Sequence, residues 1–146
     1  MQQDSSRFIN RELSWLAFAR RVLALAANES LPLLERVRFA GIVGMLHDEF
    51  FMKRISGLKR QISKQSSKLS LDGKTPQEEF DACREELQLQ ASEIASIVEE
   101  ALLPALESEG APILAYSSLT KLQKKQLRRY FKEAVMPILT PLAVDP

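Results

Sequence analysis

The segment His47-Asp48-Glu49-Phe50-Phe51-Met52-Lys53-Arg54 gathers the most versatile side chains of this 146-residue sequence. His47 is a residue type that titrates near neutral pH, accepts phosphoryl groups and meets nucleotides. Asp48 falls on an apolar helical stripe, where a carboxylate needs a basic or hydrogen-bonding partner. An arginine of the preceding helix, Arg20 or Arg21, is the expected partner, in a structural ion pair. Glu49 and Lys53 have the spacing of a surface helix pair. Beyond these the inventory is thin: one histidine and one cysteine, Cys83. That excludes an intramolecular disulfide, a multi-cysteine zinc site and most His-based metal or triad chemistry. Cys83 stands near acidic neighbours that raise a thiol's pKa, so it reads as inert. With no nucleophile to activate, His47 reads first as a hydrogen-bonded helix histidine. No catalytic residue and no metal ligand is assigned.

The second chemical signal is basic. Lys53, Arg54, Lys59, Arg60, Lys64 and Lys68 form one run, and Lys121, Lys124, Lys125, Arg128, Arg129 and Lys132 form another. Either could meet a polyanion, although no aromatic platform of the single-strand binders interleaves them. The formal net charge of +1 conceals a polarity. Residues 1–74 hold 13 Lys+Arg against 7 Asp+Glu, residues 75–109 hold 1 against 10, and residues 110–146 hold 6 against 2. There is no Walker A loop and no kinase glycine loop, so nothing here performs phosphoryl transfer alone.

These residues need helices to position them. With 5 Gly, 7 Pro and helix formers between them, the sequence predicts an all-α fold. A first helix runs from about Arg11 to Ala27, capped by Asn10, with Leu13, Leu16, Ala17, Leu23, Ala24 and Ala27 on one face and Trp15, Phe18, Val22 and Leu25 widening it. A second starts with Ser30 as cap and Pro32 in the first turn and persists to about Ile62. It carries two stripes: Leu34, Val37, Gly41, Met45, Asp48, Phe51, Ile55, Leu58 and Ile62, and Phe39, Val43, Leu46 and Phe50. Gly41 and Gly44 suggest close packing or a kink. Residues 63–74 read as a mobile connection. Thr75-Pro76-Gln77-Glu78 opens a third helix with a capping box. Its seam is Phe80, Leu87, Ala91, Ile94, Val98, Ala101 and Ala105; Pro104 should kink or end it and Gly110 stop it. Residues 111–116 read as a short strand or extended segment. Thr120 and Gln123 box a last helix that Pro137 ends, and residues 138–146 read as extended apolar chain leading onward. The expected architecture is an antiparallel bundle of about three long helices over residues 1–109, then the truncated start of a second domain over 110–146.

Two stretches carry a family resemblance: Phe8-Ile9-Asn10-Arg11-Glu12-Leu13-Ser14-Trp15-Leu16-Ala17-Phe18 with Arg21-Val22-Leu23, and Asp48-Glu49-Phe50-Phe51-Met52 with Arg54 and Gly57-Leu58-Lys59-Arg60-Gln61. Joined by Pro32-Leu33-Leu34-Glu35-Arg36 and followed by Thr140-Pro141-Leu142-Ala143-Val144-Asp145-Pro146, they resemble the N-terminal region of the long bacterial polyphosphate kinases. The resemblance implies a helical N-terminal domain of an enzyme that moves the terminal phosphoryl group of ATP reversibly onto polyphosphate. That enzyme works through a phosphohistidine, with magnesium, as an oligomer. The phosphorylated histidine and the magnesium ligands of the family lie in later domains, so His47 is not the nucleophile. What the resemblance assigns to this piece is part of the nucleotide pocket and of the subunit contacts, with Leu46 and His47 facing the nucleotide.

At two family positions this sequence departs: Leu46 stands where an asparagine contacts nucleotide, and a leucine cannot make that hydrogen bond. Phe18-Ala19 likewise replaces a Phe-Asn pair. The expectations are therefore an inactive chain with no tightly bound ATP or magnesium, homo-oligomeric, cytoplasmic, without a transmembrane segment and without a DNA partner. Two alternatives stand beside it: a stand-alone helical interaction module that has lost nucleotide binding, and a polyanion-binding module.

Overall fold

In the computed structural model, which describes residues 5–140 and residue 142, every regular element is helical. A short 3-10 turn over Ser5–Arg7 precedes α1 (Arg11–Ala27). Asn10 caps α1 through its side-chain oxygen, which accepts from the backbone N–H groups of Glu12 and Leu13, both at 3.0 Å. The buried stripe of α1 is Glu12, Leu16, Ala19, Leu23 and Ala26, in alternating steps of four and three. Ala17, Ala24 and Ala27, expected inside, are exposed. The face is rotated because Glu12 is admitted to the interior: Arg11 pairs with its Oε1, and Arg54 Nε lies 3.6 Å from its Oε2. A carboxylate can be buried when it is matched in this way.

α2 (Leu33–Phe50) begins one residue after Pro32. Ser30 does not cap it, because its N–H and hydroxyl both donate to Asn28 Oδ1, holding Ser30 in the turn between helices. Arg36, buried on α2, donates from Nε to the carbonyl of Ala26, satisfying a free acceptor at the end of α1. After Phe50 the chain makes a wide π turn over Phe51–Ile55 and resumes as α3 (Ser56–Ser63). This turn joins the two stripes of the sequence into one face. Val43 and Phe50 are buried, the next inward residue is five positions on at Ile55, and Leu58 follows. The widened turn absorbs the extra residue. Leu34, Met45, Asp48 and Phe51 consequently face solvent. Neither Gly41 nor Gly44 is closely packed: a Cβ built at either would meet nothing within 4 Å.

The 63–74 segment is not merely a connection. Ser70 donates to Asp72 and accepts the N–H of Lys74, and Asn10 Nδ2 donates to Asp72 Oδ1 at 3.0 Å and to Glu79 Oε1 at 2.8 Å. The α1 cap therefore also fastens this turn and the start of α4. α4 (Pro76–Ser96) opens with the complete Thr75–Glu78 capping box. A π turn over Ile97–Leu102 lets the helix accommodate Pro104 and continue as α5 (Leu103–Ser108). Gly110, at φ +77°, ends it. The inward residues of α4 are Pro76, Cys83 and Gln90, flanked by the half-buried Phe80 and Leu87. Phe50, Leu16, Ile55 and Cys83 form the centre of the core, with Trp15 stacked on Phe50 at 4.9 Å between ring centroids.

The chain divides into two compact units between Ala111 and Pro112. In the second, residues 111–115 are irregular. Of the two readings of this segment, a strand or an extended stretch, the strand is absent among the described residues, where no second strand offers it a ladder. A 3-10 turn (Tyr116–Ser118) leads to α6 (Lys121–Tyr130), with the Thr120–Gln123 box formed. A π turn and a 3-10 turn containing Pro137 close it at Ile138. Most of the 140–146 motif, Pro141 and residues 143–146, lies outside the described residues. No described helix is long and apolar enough to cross a membrane.

Candidate functional site

α2 offers three consecutive side chains, Leu46, His47 and Asp48, that point in different directions because successive helical residues are about 100° apart. His47 points toward α4. Its Nε2 lies 2.9 Å from Gln90 Oε1. The completely buried Gln90 uses its amide nitrogen twice, toward the Leu16 carbonyl at 2.9 Å and toward Glu86 Oε1 at 2.7 Å. With both amide hydrogens spent, the Gln90 oxygen must accept, so His47 carries a proton on Nε2. The chain of contacts continues outward: Glu86 pairs with Arg20 Nε at 2.8 Å, and Arg20 NH1 with Glu93 at 2.9 Å. Burial works to raise the Glu86 carboxyl, but the hydrogen bonds from Arg20 and Gln90 prevail and hold it below its ordinary value.

Arg20 is thus committed to α4, not to Asp48, and Arg21 is exposed. Asp48 is exposed as well and so needs no partner in the core; the π turn has put its stripe on the outside. The expected Asp48–arginine pair does not form. Trp15 serves the core through its stack on Phe50. Leu46 is half-buried and lies around the helix from His47.

Beside His47 runs a groove of about 630 Å³ between α2 and α4. His47, Asp48 and Phe51 form one wall, Phe80 and Arg84 the other. Lys59 reaches between the two rings, its Nζ 5.9 Å from the Phe51 centroid and 6.0 Å from that of Phe80. The groove therefore combines aromatic faces, two cations and hydrogen-bonding groups, and falls in the size range of small-ligand sites, about 300–1,000 Å³. Leu46 is not among its lining residues. Among the described residues no three His, Cys, Asp or Glu side chains come together in a group fit to hold a metal ion. Burial, reinforced by Glu79 and Glu12, pushes the Cys83 thiol up to about 12, which leaves it almost wholly protonated at neutral pH.

Gln90, Arg36 and Glu12 are buried polar residues that sequence reasoning missed, and Asn10, expected as a cap, has further ties to Asp72 and Glu79. Gln90 shares one helix face with Cys83 and Pro76, seven residues apart in each case, which is the one signal that could have marked it.

A family model described as the polyphosphate kinase N-terminal domain matches residues 8–114. The polyphosphate kinases of Mycobacterium marinum and Mycobacterium tuberculosis are each 48% identical over 145 residues, covering 99% of this chain and 20% of their own length. The crystal structure of polyphosphate kinase from Porphyromonas gingivalis superposes with a TM-score of 0.74 at 29% identity, over 92% of this chain and 19% of that one. The chain thus spans about a fifth of the length of the curated relatives it matches. With the helical fold, the capped helices and a match that runs through both α2 and α4, the chain belongs to the polyphosphate kinase N-terminal domain family.

Proposed function

We propose that this chain is the helical N-terminal piece of a polyphosphate kinase and contributes walls to the nucleotide pocket and contacts between subunits, without performing chemistry itself. The observation that carries the reading is the match of nearly the whole chain to a fifth of each related polyphosphate kinase. In such an enzyme, ATP and magnesium supply the phosphoryl donor and its charge neutralisation, and polyphosphate accepts. The residues of this chain are suited to a supporting role. His47 is held by Gln90 in the Nε2–H form, with its ring at the edge of the groove, and Leu46 stands where the resemblance puts an asparagine. The resemblance puts the phosphorylated histidine in later domains, and Leu46 has no nucleophilic atom. Met45 on α2 and Phe51 and Met52 on the π turn after it are exposed apolar side chains suited to burial against another subunit.

Two measurements test this. Purified chain with ATP and magnesium should form no polyphosphate; synthesis above the blank contradicts the non-catalytic role. Sedimentation should find self-association that Phe51→Ser with Met52→Ser weakens, whereas a strictly monomeric wild type contradicts the subunit-contact role.

A further inference from the structure

The outer face of α2 holds large apolar side chains in water. Leu34 is 71% exposed, and Met45 and Met52 are each 67% exposed, Met52 standing at the start of the π turn. With the exposed Arg38, Gly41 and Asp48 they form one line opposite the buried Arg36, Val43 and Phe50. Along Leu34, Arg38, Gly41, Met45, Asp48 and Met52 the steps are four, three, four, three and four residues, the same from either end. The chemistry matches its own reverse as well: apolar ends exchange, the cation falls opposite the anion, and the smallest residue falls opposite a long one. Three of these residues have no evident use within the chain. Asp48 has no ion-pair partner among the described residues. Arg38 approaches Glu35 only to 3.8 Å, beyond a hydrogen bond, with its side chain 73% exposed. At Gly41 a built Cβ meets nothing within 4 Å, so the packing of the chain itself does not call for a glycine that weakens the helix.

We propose that a second copy of this chain lays its own α2 antiparallel on this face, so that Leu34 meets the partner's Met52, Arg38 the partner's Asp48 and Gly41 the partner's Met45. A two-fold axis makes every contact occur twice with the partners exchanged, and a line that matches its own reverse satisfies that requirement. The hollow over Gly41 receives the partner's Met45 and lets the two helices approach closely. The Arg38–Asp48 contacts set orientation and register. Sliding the pair by one helical turn in either direction puts Arg38 against the partner's Met45 or the partner's Met52 instead of a carboxylate. The pairing also gives Asp48 the arginine that its own chain does not supply. This inference rests on the subunit-contact reading above and specifies which face meets which.

The test is sedimentation equilibrium of the 146-residue protein at low salt. The wild type should dimerise. Arg38→Asp and Asp48→Arg, each alone, set two like-charged contacts across the interface and should raise the dissociation constant about tenfold or more. An equimolar mixture of these two variants restores both opposite-charge contacts in the heterodimer and should associate within about threefold of the wild type. Gly41→Gln fills the hollow and should weaken association about tenfold with an unchanged helical circular dichroism spectrum, because the new side chain has open space in its own chain. Arg21→Asp, exposed on α1, should change association less than about twofold. Single variants that dimerise as the wild type does, or a mixture no better than its components, overturn this pairing while the subunit-contact reading stands. A monomeric wild type overturns both.

Discussion

His47 on α2 and Gln90 on α4 meet at 2.9 Å, and the same Gln90 amide reaches the Leu16 carbonyl on α1, so one buried side chain ties three helices together. Buried polar groups are tolerated when every donor and acceptor is used, and each strand of this network depends on the others. Replacing Gln90 with leucine keeps a side chain of similar size but leaves His47 Nε2 without its acceptor, removes the donor to the Leu16 carbonyl and leaves Glu86 with Arg20 alone. The expected cost is about 1–3 kcal/mol of unfolding free energy, measured by urea denaturation. A change within experimental error would show that the network carries no weight in the fold.

Asn10 has two functions that substitutions can separate. Asn10→Ala removes the α1 cap and the ties to Asp72 and Glu79 and should cost about 1–2 kcal/mol. Asn10→Asp retains the cap acceptor but sets a third carboxylate against two others. It should be less stable than the wild type at pH 7 and recover part of the difference on acidification, as read from thermal melts at several pH values.

Two ionisable groups set limits at the ends of the pH range. Burial opposes ionisation of Asp72, but hydrogen bonds from Ser70, Lys74 and Asn10 outweigh it and bring the carboxyl down to about 2. Because its folded value is depressed, its contribution is present above the ordinary value near 4 and is lost as pH falls through that value toward about 2. Asp72→Asn should flatten the acid limb of the stability curve. Cys83 behaves in the opposite sense: its folded value is raised, so stability is retained below about pH 8.5 and falls as pH rises toward 12. Cys83→Ala should lessen this alkaline decline, and alkylation of the native thiol at pH 8 should be far slower than in urea.

The helices were legible in the sequence because caps and periodicity are local. Asn10, Thr75 with Glu78, Thr120 with Gln123, and Gly110 mark boundaries where the structure has them. The faces were less legible. A continuous α-helix keeps Asp48, Phe51, Ile55 and Leu58 on one stripe, whereas the π turn at Phe51–Ile55 places Asp48 and Phe51 outside and Ile55 and Leu58 inside. No local residue pattern announces such a turn; it follows from packing against α1 and α4. The same tertiary causes buried Glu12, Arg36 and Gln90, whose polarity concealed them, and gave Arg20 to Glu86 and Glu93 instead of Asp48. Of the candidate site residues, His47 lines the groove, while Leu46, on the other flank of the helix, could not be placed from spacing alone.

The register shift can be tested by deletion. Removing exposed Met52 takes the extra residue out of the π turn and should leave a regular helix with both buried stripes aligned, at a modest cost in stability. Removing Met45, also exposed, rotates Val43 out of line with Phe50 and should cost about 2–5 kcal/mol, comparable to losing a large core side chain. Urea denaturation followed by circular dichroism compares the two, and equal losses would contradict a π turn that absorbs the insertion.

The supporting role at the nucleotide pocket is tested most directly by isothermal titration of the chain with ATP and magnesium, wild type beside Leu46→Asn. The expected result is little or no heat from the wild type and measurable binding once the asparagine amide is restored. Silence from both proteins would contradict a pocket wall that this chain retains and that lacks only one contact.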